Sequence, residues 1–406
     1  MQKTAKLIMV NPDNNGTQNN KFYDMVASGD TLTVKYGRVG TSGTTKTYSA
    51  RKWDSLYNAK IRKGYVDKTD LYVENTSSGQ VIDIKNSFVK QFITKIMNMS
   101  KDNVQNNYLV TSDNVTQAMI DEAQSYINAL LEENKIGGNG KRFNDTLIEI
   151  FQTIPRKMNN VNDFILSSNQ IKTKKQIEEI NEIINREQNL LDNMGSQVKT
   201  NQSVSDNEED VDILEVMGLE AYEADDKDIA LIKKRLGGAS NQFVKAIKVV
   251  NRKTQEKFDK FVKNSECKRI REYWHGSRNE NWWNIMGSGL LIRPTNAVLT
   301  GSMFGPGVYF ADRAKKSLGY TSLRGSYWAG GGSNVGYLAL YDVHVGNSLR
   351  IKKHDSSCYK LNYKSLRNRG KYDSVFAEKG VDLINNEYVI YKTEQCTIKY
   401  LVEIQQ

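Results

Sequence analysis

Three short segments of this 406-residue chain carry residue types that could hold a ligand and act on it. In Tyr273–Arg278, a histidine at a predicted strand end precedes Gly276, which lets the backbone approach a ligand, and Ser277, which adds a hydroxyl. The other segments are the glycine-rich Thr300–Asp312 and Asn386–Tyr391, where one acid opens an apolar strand. Singly, such a histidine or acid is usually structural, so the chemistry depends on the three segments together.

Metal and disulfide chemistry have few candidate ligands in this chain. The three histidines are His275, His344 and His354, so a metal site would need mostly carboxylates. The three cysteines never form a CxxC pair, which argues against a zinc module or a disulfide framework and favours a reducing compartment.

The order and spacing of these segments resemble the catalytic domain of poly(ADP-ribose) polymerases, the histidine–tyrosine–glutamate branch of the ADP-ribosyltransferases. Upstream, Val34–Gly40 resembles the Trp-Gly-Arg motif of the WGR domain, with Tyr36 in the tryptophan's place. The stretch from Asp83 to Gly195, which contains Phe151–Pro155, resembles the family's regulatory helical domain. The likeness covers nearly the whole chain, in the arrangement of the short, DNA-dependent members that lack zinc fingers.

This resemblance implies a role for each residue that matches the family's motif. His275 would bind the adenosine-side ribose of NAD+, and Gly276 and Ser317 would bind the nicotinamide carboxamide, while Ser277 adds a hydroxyl beside them. Tyr320 would stack on the nicotinamide ring, and Tyr309 would pack against the nicotinamide–ribose end. Glu387 would accept a hydrogen bond from a ribose hydroxyl and orient the attacking nucleophile.

These residue types suit the implied reaction, in which NAD+ is a substrate. Breaking the bond to nicotinamide develops oxocarbenium character on the ribose, which one fixed carboxylate stabilises. No metal is expected, because the leaving group departs neutral. Two departures from the family pattern put NAD+ affinity in doubt: Leu291 stands where relatives often have arginine, and Pro306 where they often have lysine.

The elements that must position these residues fall into three predicted regions, so we expect an α+β multidomain chain. Residues 1–80 show four short strand patterns separated by turns, then a basic helix from Ala50 to Arg62, typical of a small β-rich domain. This region carries 12 Lys and Arg against 7 Asp and Glu, half of the chain's +10 excess. We expect DNA contacts from Tyr36, Arg38, Arg51 and Lys52.

The second region, residues 83–200, shows apolar residues at helical spacing and predicts an all-α bundle. Helix starts are indicated at Thr116 and at Thr173, the latter with Gln176 three positions on. The polar stretch from Gly195 to Asp212 is interpreted as a linker or loop.

The third region, residues 205–406, predicts helices at 226–236 and 250–263 and then many strands, as in a mixed α/β domain built on two antiparallel sheets. Two interpretations of the basic stretch from Lys352 to Lys371 stay open. It lies where the family has its acceptor loop and would guide an anionic ADP-ribose chain, or it is a solvated loop.

The expected function is ADP-ribose transfer from NAD+ to proteins, including the chain itself, switched on by DNA strand breaks. In relatives, DNA binding loosens the helical domain that blocks access of NAD+. Two alternatives remain: transfer of single ADP-ribose units, or a break-binding scaffold without activity. An accessory protein completing the active site is left open. With no signal peptide or membrane segment indicated, we expect an intracellular protein, nuclear in a eukaryotic host and otherwise cytoplasmic.

Overall fold

The computed structural model describes residues 2–12, 19–71, 84–205, 212–292 and 302–406. The chain divides into two compact units, residues 1–79 with 101–202, and residues 80–100 with 203–406. The expected α+β multidomain architecture is confirmed. The boundaries at 80, 83, 200 and 205 were drawn along the sequence and stay predictions.

The first unit contains one antiparallel five-stranded sheet. In sheet order its strands are β4 (Thr44–Ser49), β3 (Thr31–Arg38), β2 (Asn19–Ser28), β1 (Lys3–Asn11) and β5 (Val66–Asp67). Alternate residues of β1 face opposite sides: Leu7 packs with Trp53 of helix α1 (Trp53–Ile61), and Ile8 joins the core of the helical segment. The apolar run Leu7–Val10 is therefore a strand buried on both faces.

Four longer helices follow. They are α2 (Ser87–Asn107), α3 (Gln117–Glu133), α4 (Gly140–Thr153) and α5 (Lys174–Ser205). The predicted caps are present: Thr116 Oγ1 accepts from the Met119 amide at 3.2 Å, and Thr173 and Gln176 accept from each other's amides. Residues 87–100 of α2 belong to the second unit, where Phe92 and Ile96 are core residues.

The interpretation of residues 195–212 as a linker was wrong for its first part. Helix α5 continues to Ser205, while residues 206–211 lie outside the described residues. Leu191, Met194 and Val198 continue the buried stripe at helical spacing, which outweighs the polar composition around it.

The second unit is built on two sheets. One has the order β6 (Leu219–Glu223), β7 (Phe243–Asn251), β14 (Cys396–Gln405), β10 (Val335–His344) and β8 (Ile270–Gly276). The other has the order β11 (Ser348–Ile351), β12 (Ser374–Ala377), β13 (Glu387–Ile390) and β9 (Val308–Phe310). All pairs are antiparallel except β11 with β12. Reciprocal hydrogen bonds between Trp274 and Ala311 join β8 to β9.

Short helices pack around these sheets. They are α6 (Ile213–Val216), α7 (Asp226–Leu236), α8 (Arg252–Asn264), α9 (Trp282–Ser288), α10 (Ala314–Leu318) and α11 (Tyr363–Gly370). The helix predicted from Val250 begins at Arg252, because Asn251 ends β7 and caps α8 by accepting from the Thr254 amide at 3.0 Å. Strand β7 was not predicted, nor were β6, β11 and β12.

Candidate active site

The first candidate residue, His275, lies near the end of β8 and is held on one ring nitrogen. Its Nδ1 lies 3.1 Å from the Tyr309 carbonyl oxygen, so this nitrogen donates and Nε2 is left for a ligand. The rings of Trp282, Phe310 and Tyr341 meet the imidazole edge-on at 5.8 to 6.5 Å. Burial lowers the pKa of His275, which favours the neutral imidazole near pH 7.

Gly276 and Ser317 are brought together by a close approach of β8 and α10. A Cβ atom at Gly276 would overlap the Ser317 carbonyl oxygen, so no larger residue fits at this position. Ser317 is 4% exposed, and its hydroxyl donates to the Trp274 carbonyl at 3.2 Å. Ser277 lies beside them and accepts from the Asn281 side-chain amide at 3.1 Å.

Tyr309 lies in the middle of β9, with its hydroxyl already engaged. The hydroxyl donates to the Gly305 carbonyl at 2.8 Å and accepts from the Phe304 amide at 3.0 Å. Burial raises the pKa of Tyr309 above its usual range, so the phenol stays protonated. The ring face, and not the hydroxyl, is what this residue offers to a ligand.

Tyr320 follows α10 and is the most open of the site residues, with 37% of its surface exposed. Its ring lies nearly parallel to that of Trp328, with centroids 6.1 Å apart and planes 17° apart. Burial raises the pKa of Tyr320 to about 12, and the negative charge of Glu387 contributes. This electrostatic interaction indicates that Tyr320 and Glu387 share one environment.

Glu387 opens β13 as predicted and is 9% exposed. Val389 pairs with Tyr309 across the strands, so Glu387, two residues before Val389, lies on the same face of the sheet as Tyr309. Its Oε1 forms an ion pair with Lys316 Nζ, whereas its Oε2 is buried without a hydrogen-bond partner among the described residues. A buried acceptor of this kind fits a ligand that brings a hydroxyl donor.

Sequence reasoning gave Lys316 no role. The structure places its ammonium on Glu387, where it balances the buried carboxylate charge. Its position could have indicated a site residue, because Lys316 comes directly before Ser317 and four residues before Tyr320. Sequence reasoning also missed Trp328, because the glycine-rich loop around it predicts no regular element.

The two positions where the chain departs from the family pattern are both among the described residues. Leu291, beyond the end of α9, is half exposed, and Pro306 lies between Gly305 and Gly307 ahead of β9. Thr300 and Gly301, the first residues of the glycine-rich segment, lie outside the described residues.

The four predicted DNA-binding residues occupy two ends of one hairpin. Thr31 pairs with Ser49 and Tyr36 with Thr44, so Tyr36 and Arg38 lie at one end of β3, and Arg51 and Lys52 follow β4 at the other. At about 3.3 Å per residue, the two groups are roughly 20 Å apart. Arg38 Nη1 donates to the Asn159 carbonyl at 3.0 Å.

Comparison with known proteins identifies a domain family for the N-terminal part of the chain and another for the C-terminal part. A model of the poly(ADP-ribose) polymerase catalytic domain matches residues 227–406, and a model of the WGR domain matches residues 6–71. A putative poly(ADP-ribose) polymerase-like protein, 100L of Invertebrate iridescent virus 6, is 34% identical over 167 residues, which make up 87% of that protein and 40% of this chain. The chain belongs to the poly(ADP-ribose) polymerase family.

Other relatives agree with this membership. The uncharacterized protein 101L of the same virus is 36% identical over 217 residues, 86% of its length and 53% of this chain. Poly(ADP-ribose) polymerase 2 of Zea mays is 30% identical over 212 residues, which are 31% of that enzyme and 45% of this chain. The expected family and the WGR domain are thus confirmed, and the catalytic-domain match makes the chain an NAD+ ADP-ribosyltransferase, as expected.

Two features are absent from the residues that the structure describes. No group of three or more His, Cys, Asp or Glu side chains there is arranged to hold a metal ion. No helix in the same ranges is both long enough and apolar enough to cross a membrane. The roles of individual site residues stay predictions.

Proposed function

We propose that this chain builds poly(ADP-ribose) on protein acceptors, including itself, and that DNA strand breaks stimulate it. The observation that carries the catalytic part is the buried Oε2 of Glu387, an acceptor without a partner beside the two tyrosines of the site. A ribose hydroxyl of NAD+ or of a growing chain satisfies this atom. The paired Lys316 keeps the carboxylate in place.

Each side chain then has a defined task. Tyr320 stacks on the nicotinamide ring, while the Gly276 backbone and the Ser317 hydroxyl bind its carboxamide. Neutral His275 uses Nε2 on the adenosine-side ribose, since Nδ1 is engaged by Tyr309. Ser277 lines the same strand end.

In the reaction, the bond between the ribose C1 atom and the nicotinamide nitrogen breaks, and its electron pair neutralises the pyridinium. Positive charge develops on the ribose, where the Glu387 carboxylate stabilises it. An acceptor oxygen forms the new bond to C1 and gives up its proton. For elongation that oxygen is a ribose hydroxyl, which a carboxylate orients and deprotonates.

The DNA-dependent part rests on the first unit. Residues 1–80 carry half of the net positive charge, which suits a phosphate-directed and salt-sensitive contact. Arg38 is exposed at the strand end, and it also donates to the Asn159 carbonyl in the loop after α4. A DNA phosphate that binds the Arg38 guanidinium breaks this hydrogen bond. DNA binding therefore alters a contact made by the loop between the helices. Arg51 and Lys52 contact a second stretch of backbone.

One experiment tests both parts and separates the alternatives. The chain is incubated with labelled NAD+, with and without nicked duplex, and resolved on a gel. We expect a ladder of products that strengthens with DNA. A single shifted band indicates transfer of single units, no label indicates a scaffold, and equal ladders contradict DNA dependence. Because the proposed reaction consumes NAD+, we expect the chain to act inside a cell, where NAD+ is available.

A further inference from the structure

A cavity of about 530 Å³ lies in the catalytic unit, between α8, α11 and the turn after β13. None of the residues assigned to NAD+ lines it. It combines cationic side chains with two aromatic rings. The residues that matter are Lys257, Lys260, Phe261, Tyr363, Arg367 and Lys392.

One arginine, Arg367, forms ion pairs with two of the three carboxylates at this cavity. Arg367 Nη1 lies 2.9 Å from Asp373 Oδ1, and Nη2 lies 3.5 Å from Glu266 Oε1. The other oxygen of Asp373 accepts from the Asn347 amide at 2.9 Å. Glu394, which accepts from the Thr393 hydroxyl at 3.4 Å, is the remaining lining carboxylate.

The three lysines have no such partners. Lys257, Lys260 and Lys392 form no ion pair among the described residues, and all three are exposed. They face the cavity from two separate elements, and with Arg367 they give its lining four cations against the three carboxylates of Glu266, Asp373 and Glu394. An excess of cations favours an anionic ligand.

The aromatic rings lie next to these charges. The centroids of Phe261 and Tyr363 are 6.2 Å apart, with their planes at 69°. Lys392 Nζ lies 4.3 Å from the Tyr363 centroid and 5.6 Å from that of Phe261. Aromatic faces beside cations suit a ligand that joins a planar base to phosphates.

We propose that this cavity binds an adenine nucleotide diphosphate, in the form of an ADP-ribose unit of the product chain. The phosphates lie against Lys257, Lys260 and Lys392, and the adenine packs on Tyr363 or Phe261. The choice of ADP-ribose rests on the proposed transferase function, whereas the preference for a base with a diphosphate rests on the cavity alone. Lys392 follows Glu387 by five residues, so at most about 17 Å of extended chain separates the two.

The test must keep ADP-ribose out of the NAD+ site. The full chain is saturated with carba-NAD, whose glycosidic bond cannot break, and titrated with ADP-ribose in a calorimeter. We expect one further molecule to bind per chain. Binding weakens at least tenfold in Lys257→Ala/Lys260→Ala and stays unchanged in Lys253→Ala/Lys263→Ala, which removes two lysines of the same helix that do not line the cavity.

Two further arms test the base. Tyr363→Leu weakens ADP-ribose binding, and Tyr363→Phe restores it. Pyrophosphate alone binds more weakly than ADP-ribose. The proposal is overturned if no further molecule binds, if both lysine pairs reduce binding equally, or if pyrophosphate matches ADP-ribose. Labelling by NAD+ is measured on the same samples, so failure of the cavity and failure of the transferase function are told apart.

Discussion

The catalytic unit brings together residues that are distant in sequence, whereas the N-terminal sheet separates residues that are close in sequence. In the catalytic unit, Glu387 and Tyr309 come from distant parts of the chain and share one sheet face, with Lys316 bound to the carboxylate. In the N-terminal sheet, Arg38 and Arg51 are close in sequence, but the β3–β4 hairpin places them at opposite ends. Nearness along the chain therefore says little about whether residues form one site, whereas strand register says a great deal.

The largest expected effect is on Glu387, where the converging strands place a single carboxylate. Glu387→Gln removes its charge at nearly constant shape, and we expect elongation to fall by about 10²–10³-fold while the fold and NAD+ binding persist. Polymer length on a gel measures the loss, and circular dichroism measures the fold. Long polymer from this variant would contradict the assignment.

The control for Glu387→Gln concerns Lys316, which the change leaves without its partner. A double change, Glu387→Gln with Lys316→Met, removes the unpaired charge as well. We expect it to melt no lower than the single variant and to remain inactive. Recovered elongation in the double variant would mean that the unpaired lysine caused the loss.

The next effect tests the contact that joins β8 to α10. Gly276→Ala forces a methyl group into the Ser317 carbonyl, so we expect a loss of about 1–3 kcal/mol in the free energy of unfolding, together with weaker NAD+ binding. Gly238→Ala is the matched control, because its Cβ would meet no atom within 4 Å. Denaturant unfolding compares the two variants. Equal stability would show that β8 and α10 leave room for a methyl group at Gly276.

Tyr320 tests the aromatic side of the site. Tyr320→Ala should weaken nicotinamide-like inhibitors by about 1–3 kcal/mol, because the ring that stacks on them is lost. Tyr320→Phe keeps the ring face and should bind nearly as well. Calorimetry measures both variants, and an unchanged affinity in Tyr320→Ala would place the nicotinamide elsewhere.

The smallest effects concern the N-terminal sheet and sharpen the contrast between its two ends. Arg38→Ala should reduce DNA stimulation more than Arg51→Ala, because Arg38 also holds the Asn159 carbonyl. Each change should lower the salt slope of DNA binding by about one. Titration with nicked duplex at several salt concentrations measures both quantities. A larger loss of DNA stimulation in Arg51→Ala would mean that the Arg51 end of the β3–β4 hairpin, and not the Arg38 end, transmits DNA binding to the helices.

Local patterns in the sequence were enough to predict many of the elements. Short β-like runs bounded by turn signals predicted β1 to β4, and the Thr116 and Thr173 capping signals marked two helix starts that the structure confirms. The same local reasoning failed for α5 beyond Gly195, where polar composition hid the buried Val198, and for β7, whose end at Asn251 was assigned to a helix. In both places long-range packing decided the outcome.

The sequence by itself determined the family, the order of the elements and the residue types at the site, because motifs and periodicities are local properties of the chain. Only the tertiary structure decided which of these residues meet. It paired Lys316 with Glu387, left one carboxylate oxygen open, excluded a side chain at Gly276 and separated Arg38 from Arg51. These outcomes depend on strand register and close packing between distant segments, which no short stretch of sequence contains.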